Sequence, residues 1–142
     1  EEAAFLVKHF NQYWSTIQES SQYQEPLSVG IIAPYKMQLE AIQEAFKDAG
    51  GLPADAKISI NTVDSFQGQE RDIIYISMTR SNNDNRIGFL SEIRRMNVAM
   101  TRAKMKLVII GDSSTLAQHA FYARLIGLAE QRNAYKSAWE FL

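Results

Sequence analysis

The segment Val63-Asp64-Ser65-Phe66-Gln67-Gly68-Gln69-Glu70-Arg71-Asp72 lies between two apolar runs and places a glycine two positions before a glutamate. A glycine lets backbone approach a bound molecule closely. A carboxylate such as that of Glu70 offers two acceptor oxygens suited to sugar hydroxyls. The combination fits the edge of a nucleotide site. It equally fits a hairpin-like turn in which Gly68 supplies a positive φ and Glu70 pairs with Arg71 or faces water.

A second segment, Arg94-Arg95-Met96-Asn97-Val98-Ala99-Met100-Thr101-Arg102-Ala103-Lys104, has helical spacing. Ile93, Met96, Met100 and Ala103 form its expected buried stripe, leaving Arg95, Ala99 and Arg102 on a second face. On one continuous helix the two arginines stand about 10.5 Å apart along the axis, with only the small Ala99 between them. Guanidinium forks suit phosphate oxygens, and an arginine offered across an interface stabilises charge on a transferring phosphoryl group. A solvent-facing helix edge accounts for the same pattern.

The surrounding elements are legible as alternating periods. Phe5 or Leu6, Phe10, Tyr13, Trp14 and Ile17 recur at helical spacing over the first twenty residues, and the aromatic stripe reads as core. Gln18 to Glu25, closed by Pro26, reads as a connector. An apolar run from Val29 to Ala33 precedes a helix from about Lys36, whose Leu39, Ile42, Phe46 and Ala49 share a face and which Gly50, Gly51 and Pro53 stop. Strands are expected at Ile58 to Val63, Asp72 to Met78 and Leu107 to Ile110, with helices at Glu92 to Lys104 and from about Ser114. Strands alternating with helices predict an α/β fold with a mostly parallel sheet covered on both faces. Such sheets bind ligands beyond the carboxyl ends of their strands. The residues there are polar: Pro34, Tyr35, Lys36; Asp64 to Gly68; Thr79, Arg80, Ser81; Gly111, Asp112 and Ser113.

Composition narrows the classes. The 142 residues suit one domain, and 46% hydrophobic content is that of a globular chain with no apolar run long enough to span a bilayer. Zero cysteines exclude disulfides and cysteine-bound zinc, and two isolated histidines, His9 and His119, make no metal cluster. A net charge of −1 gives no global nucleic-acid footprint, so any such contact is local. Arg94, Arg95, Arg102, Lys104 and Lys106 are the one local basic excess, which a solvated face also explains. With no starting Met and no leader pattern, the chain reads as a piece of a longer intracellular, cytoplasmic protein.

Taken in order, Ile31-Ile32-Ala33-Pro34-Tyr35-Lys36-Met37-Gln38, then Val63 to Asp72, then Gly88-Phe89-Leu90 with Arg95 to Lys104, resemble motifs IV, V and VI of superfamily 1 helicases. The branch is that of the nonsense-mediated-decay RNA helicase and senataxin. The resemblance covers roughly Val29 to Ser113, and three motifs in order are far more specific than one. It implies a three-layer RecA-like domain, the second motor half of an ATP-dependent helicase acting on single-stranded DNA or RNA. Residues 1–28 would be an N-terminal helix and connector, 29–113 the motif-bearing core and 114–142 a C-terminal helical part.

The resemblance also implies roles. Glu70 would bind the ATP ribose, with Gln67 and Gly68 shaping that edge. Arg102 would be the arginine finger on the γ-phosphate, and Arg95 would support the nucleotide site or the domain interface. Pro34, Tyr35, Lys36, Thr62 and Ser65 would meet the nucleic-acid strand. Relatives often carry an arginine after the motif IV glutamine, where this chain has Leu39. No GxxxxGK followed by Ser or Thr occurs, and no strand ends in paired acids, so the phosphate loop and the Mg²⁺ ligands are expected on a first RecA-like domain. Two rival readings are a catalytically inactive RecA-like docking module and a phosphoacceptor domain using Asp64 or Asp112.

Overall fold

The computed structural model describes residues 2–20, 27–34, 36–53, 57–66, 68–78 and 93–137. Its centre is a four-stranded sheet of β1 (Ser28–Ile32), β2 (Lys57–Asn61), β3 (Arg71–Ser77) and β4 (Ala103–Ile110), ordered β2-β1-β3-β4. Every neighbouring pair is parallel. The order means that the chain leaves β1 to one side to form β2, then crosses back over β1 to form β3 and β4. Helices α1 (Glu2–Ser20) and α2 (Lys36–Asp48) cover one face of the sheet. The turn Val63–Phe66, helix α3 (Ile93–Met100), the single turn α4 (Ser113–Leu116) and α5 (Ala120–Gln131) cover the other. This three-layer α/β arrangement is that of a RecA-like domain.

Burial on both faces explains why the strands read as unbroken apolar runs rather than as alternations. In β3, Ile73 and Tyr75 join the core under α1 and α2, whereas Ile74 and Ile76 join the opposite one. The aromatic stripe of α1 is core, as its spacing predicts: Phe10 stacks on Trp14 with ring centroids 5.7 Å apart and meets Phe46 and Tyr75 edge-on at 5.5 and 5.8 Å. Leu39, Ile42 and Phe46 bury one side of α2. Gly50 and Gly51 stop that helix with φ of 102° and 96°, and the Gly51 N–H donates back to the Phe46 carbonyl at 2.8 Å. Ala49 is exposed just past the helix end rather than on its core face.

Four expectations are corrected. β2 ends at Asn61, and Val63 and Phe66 turn into the core from a 3-10 turn instead of continuing the strand. The helix expected from Glu92 to Lys104 stops at Met100, and β4 begins at Ala103 instead of Leu107. The cause is tertiary: the Arg71 N–H donates to the Arg102 carbonyl at 2.9 Å, so the exposed edge of β3 draws Ala103 to Lys106 into the sheet. Ala99 is buried beside Met96 in the core, so no helical face carries Arg95, Ala99 and Arg102 together. The helix expected from Ser114 is divided into α4 and α5, each with its own cap. Asp112 accepts from the Ser114 N–H at 3.0 Å and His119 Nδ1 accepts from the Phe121 N–H at 3.2 Å.

Gly30, in the middle of β1, lies under the turn. A Cβ there would stand 2.7 Å from Ile74 Cδ1, 2.9 Å from Phe66 Cε1 and 3.3 Å from Arg71 Cγ. Both hydrophobic neighbours are buried and have nowhere to move. Gly30→Ala should therefore cost about 1–3 kcal/mol through overpacking, seen as a lowered urea midpoint; an unchanged midpoint would mean that the turn yields freely.

Candidate functional site

The direction of the strands decides where each candidate side chain sits. β3 and β4 start together, with Arg71 paired to Ala103 and the Arg71 N–H bonded to the Arg102 carbonyl. Glu70 and Arg102 are the residues just ahead of these two starts, so they flank each other at the amino edge of the sheet. The same edge is closed between β1 and β3 by a reciprocal bracket. The Ser28 N–H donates to Asp72 Oδ2 at 2.9 Å, and the Asp72 N–H donates to Ser28 Oγ at 3.0 Å.

Glu70 is exposed, and among the described residues its carboxylate has no partner. It does not pair with Arg71, whose guanidinium reaches the Glu70 carbonyl and Gln69 Oε1 instead, each at 3.0 Å. Arg102 is half-buried, its Nε donating to the Val98 carbonyl at 3.2 Å and its Nη2 to Thr101 Oγ1 at 3.3 Å. A cation at the carboxyl end of α3 also meets the negative end of the helix dipole. Among the described residues no carboxylate pairs with Arg102.

Arg95 stands near the other end of α3 and forms an ion pair with Asp64 of the Val63–Phe66 turn. It therefore ties the turn to α3. Asp64 and Asp112, the acids of the phosphoacceptor reading, are thus an ion-pair partner and a helix cap.

Pro34, Lys36, Thr62 and Ser65 gather at the opposite edge, beyond the carboxyl ends of neighbouring β1 and β2. There the Ala33 N–H donates to the Asn61 carbonyl at 3.3 Å, the Thr62 N–H to Asn61 Oδ1 at 2.8 Å and the Ser65 N–H to the Thr62 carbonyl at 3.2 Å. Lys36 and Ser65 are exposed, Pro34 and Thr62 half-buried. Tyr35 and Gln67 lie outside the described residues.

Glu70 and Arg102 thus lie at the amino edge of the sheet, and the polar residues that follow β1 and β2 lie at its carboxyl edge. The length of β1, roughly 15 Å at about 3.3 Å per residue, separates two edges with different side chains. The chain after β2 joins them across the sheet face, anchored by buried Val63 and Phe66. Gly68, on the way, has a φ of 75°, a conformation that favours glycine, and a Cβ added to it would meet no protein atom within 4 Å.

A buried polar chain that periodicity and motif order do not single out sits at the carboxyl edge. Gln38 Nε2 donates to Ser77 Oγ at 3.0 Å, and the Ser77 hydroxyl donates to Glu2 Oε1 at 2.6 Å. It pins the first turn of α2, which carries Lys36, to the last residue of β3 and the start of α1. Its sequence signal is faint: Gln38 and Ser77 are polar residues on otherwise apolar faces. Burial pushes the Glu2 carboxyl above the ordinary glutamate range, against the opposing hydrogen bond from Ser77.

A family model described as AAA domain matches residues 1–114. The chain belongs to that family. It is 44% identical over 105 residues to the probable helicase MAGATAMA 3 of Arabidopsis thaliana, covering 74% of this chain and 13% of that protein. It is 43% identical over 109 residues to helicase sen1 of Schizosaccharomyces pombe, covering 77% of this chain and 6% of that protein. Against the regulator of nonsense transcripts 1 homolog of Neurospora crassa it is 40% identical over 104 residues, 72% of this chain and 10% of that protein. This AAA domain is thus homologous to superfamily 1 helicases of the senataxin and nonsense-mediated-decay branch, and it spans a small part of their length. Among the described residues no helix is long and apolar enough to cross a membrane, and no three His, Asp or Glu side chains group as a metal site.

The raised Glu2 pKa has a defined consequence. The folded protein holds that proton more tightly than the unfolded chain, so this group's contribution to stability falls as pH rises above the ordinary 4.5. Glu2→Gln keeps an acceptor for Ser77 and removes the charge. Relative to the parent, its urea midpoint should rise between pH 5 and pH 8; a constant difference would refute the buried-carboxyl account.

Proposed function

We propose that this AAA domain is the second RecA-like motor domain of an ATP-dependent superfamily 1 helicase, working with a first domain that carries the phosphate loop and the Mg²⁺ ligands. The single observation that supports it most is that Glu70 and Arg102 immediately precede the paired starts of β3 and β4. An acceptor suited to ribose hydroxyls and a guanidinium suited to a phosphate come from neighbouring backbone positions there, as a nucleotide held across a domain boundary requires. These residues fit ATP. They supply no Mg²⁺ ligand set, which belongs to the first domain.

When bound, ATP supplies the phosphoanhydride whose hydrolysis drives movement. The residues of this chain do the rest of what is assigned to it. Glu70 accepts hydrogen bonds from the ribose, with Gln67 and Gly68 shaping the turn beside it. Arg102 leaves its resting contacts on Val98 and Thr101 for the terminal phosphate and stabilises the charge that develops there. Those contacts are two ordinary hydrogen bonds, an obstacle small enough for nucleotide-driven domain closure to overcome. Arg95, paired with Asp64, supports the site at a distance.

At the other edge Pro34, Tyr35, Lys36, Thr62 and Ser65 hold single-stranded DNA or RNA. Lys36 meets a phosphate and Tyr35 stacks on a base or ribose. Grip on the strand then alternates as the two motor domains close and open. The inactive docking reading leaves the alignment of Glu70 with Arg102 without a purpose.

In the complete protein Arg102→Ala should lower kcat for ATP hydrolysis by about 10³-fold or more, with a much smaller change in ATP affinity. Steady-state hydrolysis and equilibrium binding together check this, and unchanged turnover would remove the arginine-finger assignment.

A further inference from the structure

Among the described residues, Arg71 links several parts of the amino-edge site through its side chain and its backbone. Its guanidinium lies over the Phe66 ring, 5.3 Å from the centroid. From there Nη1 donates to the Glu70 carbonyl at 3.0 Å and Nη2 to Gln69 Oε1 at 3.0 Å. Its backbone N–H holds the Arg102 carbonyl at 2.9 Å. Its stem passes over Gly30, where a Cβ would come within 3.3 Å of Arg71 Cγ. Phe66 is itself buried, 1% exposed, and so gives the cation a fixed floor.

The segment it braces needs bracing. Gly68 to Glu70 are exposed, and Gly68 has a φ of 75°, a region that favours glycine. Among the described residues, the Gln69 N–H, donating to the Phe66 carbonyl at 2.9 Å, is the one backbone tie from this stretch to the turn. A planar fork with two donors held apart at fixed geometry suits two acceptors at once, and a lysine ammonium lacks that fork.

We propose that Arg71 is a positioning residue of the nucleotide site: it fixes the turn 68–70 so that the Glu70 carboxylate is presented to the ribose beside Arg102. The inference rests on the reading of Glu70 as the ribose contact. Arg71 itself touches neither the nucleotide nor the strand. It acts on ribose recognition by removing the freedom of Glu70 to swing away, so losing it weakens that one contact and leaves the arginine finger in place.

The test uses the complete protein and calorimetric titration with the non-hydrolysable β,γ-imido analogue of ATP and with its 2′-deoxy counterpart. The parent should prefer the ribose form, and Glu70→Gln should lose that preference. Arg71→Met keeps the stem over Phe66 and removes the fork. It should narrow the preference by about fivefold, the scale of one neutral hydrogen bond, and the double variant should be no worse than Glu70→Gln alone. If Arg71→Met does not fold, Arg71→Lys keeps the cation over Phe66 without the fork and should show a smaller narrowing of the same kind. A full ribose preference in the folded Arg71 variants, with Glu70→Gln deficient, overturns the role of Arg71 and leaves the ribose reading standing. An undiminished preference in Glu70→Gln overturns both.

Discussion

The hydrogen bond from the Arg71 N–H to the Arg102 carbonyl organises more of this domain than any other single contact. It terminates α3, begins the pairing of β3 with β4 and sets Glu70 beside Arg102. Without it, residues 101–106 would be free to extend the helix, and the last strand would start later and pair less. One backbone bond worth about 1 kcal/mol net matters here because it opens a ladder that runs on to Ser77 and Ile110.

A parallel sheet has two chemically distinct edges, and the candidate residues of this domain fall on both. The order β2-β1-β3-β4 forces the chain after β2 to recross the sheet before β3 can begin. That crossing segment carries Thr62 and Ser65 at its start and Glu70 at its end. Phe66, seated over the missing Cβ of Gly30, and the Asp64–Arg95 pair hold it to the sheet and to α3. An exposed ion pair of this kind adds little stability. Its effect is to fix where the turn lies relative to the helix.

Much of the fold was legible because burial on both faces leaves unbroken apolar runs, as in β1 and β3, and because the stripe of α1 and the glycine stop of α2 are strong local signals. The end of α3 was not. Lys104, Met105 and Lys106 are exposed and favour a helix by intrinsic propensity, so only the waiting edge of β3 makes them a strand. The candidate site shows the same division. Residue types and order pointed to Glu70 and Arg102, but which edge they occupy depends on strand direction and crossover order, which no local pattern contains. The chain of Gln38, Ser77 and Glu2 joins positions 39 and 75 residues apart and left almost no trace in periodicity.

The claim that nucleotide and strand occupy opposite edges is tested most directly by a structure of the complete protein with ADP, aluminium fluoride and a single-stranded oligonucleotide. The account predicts the Glu70 carboxylate within hydrogen-bond distance of the ribose, the Arg102 guanidinium on the fluoride group, and the oligonucleotide against Pro34, Lys36 and Thr62. Nucleotide bound instead beyond the carboxyl ends of β1 and β2, or an oligonucleotide running past Glu70, would contradict it.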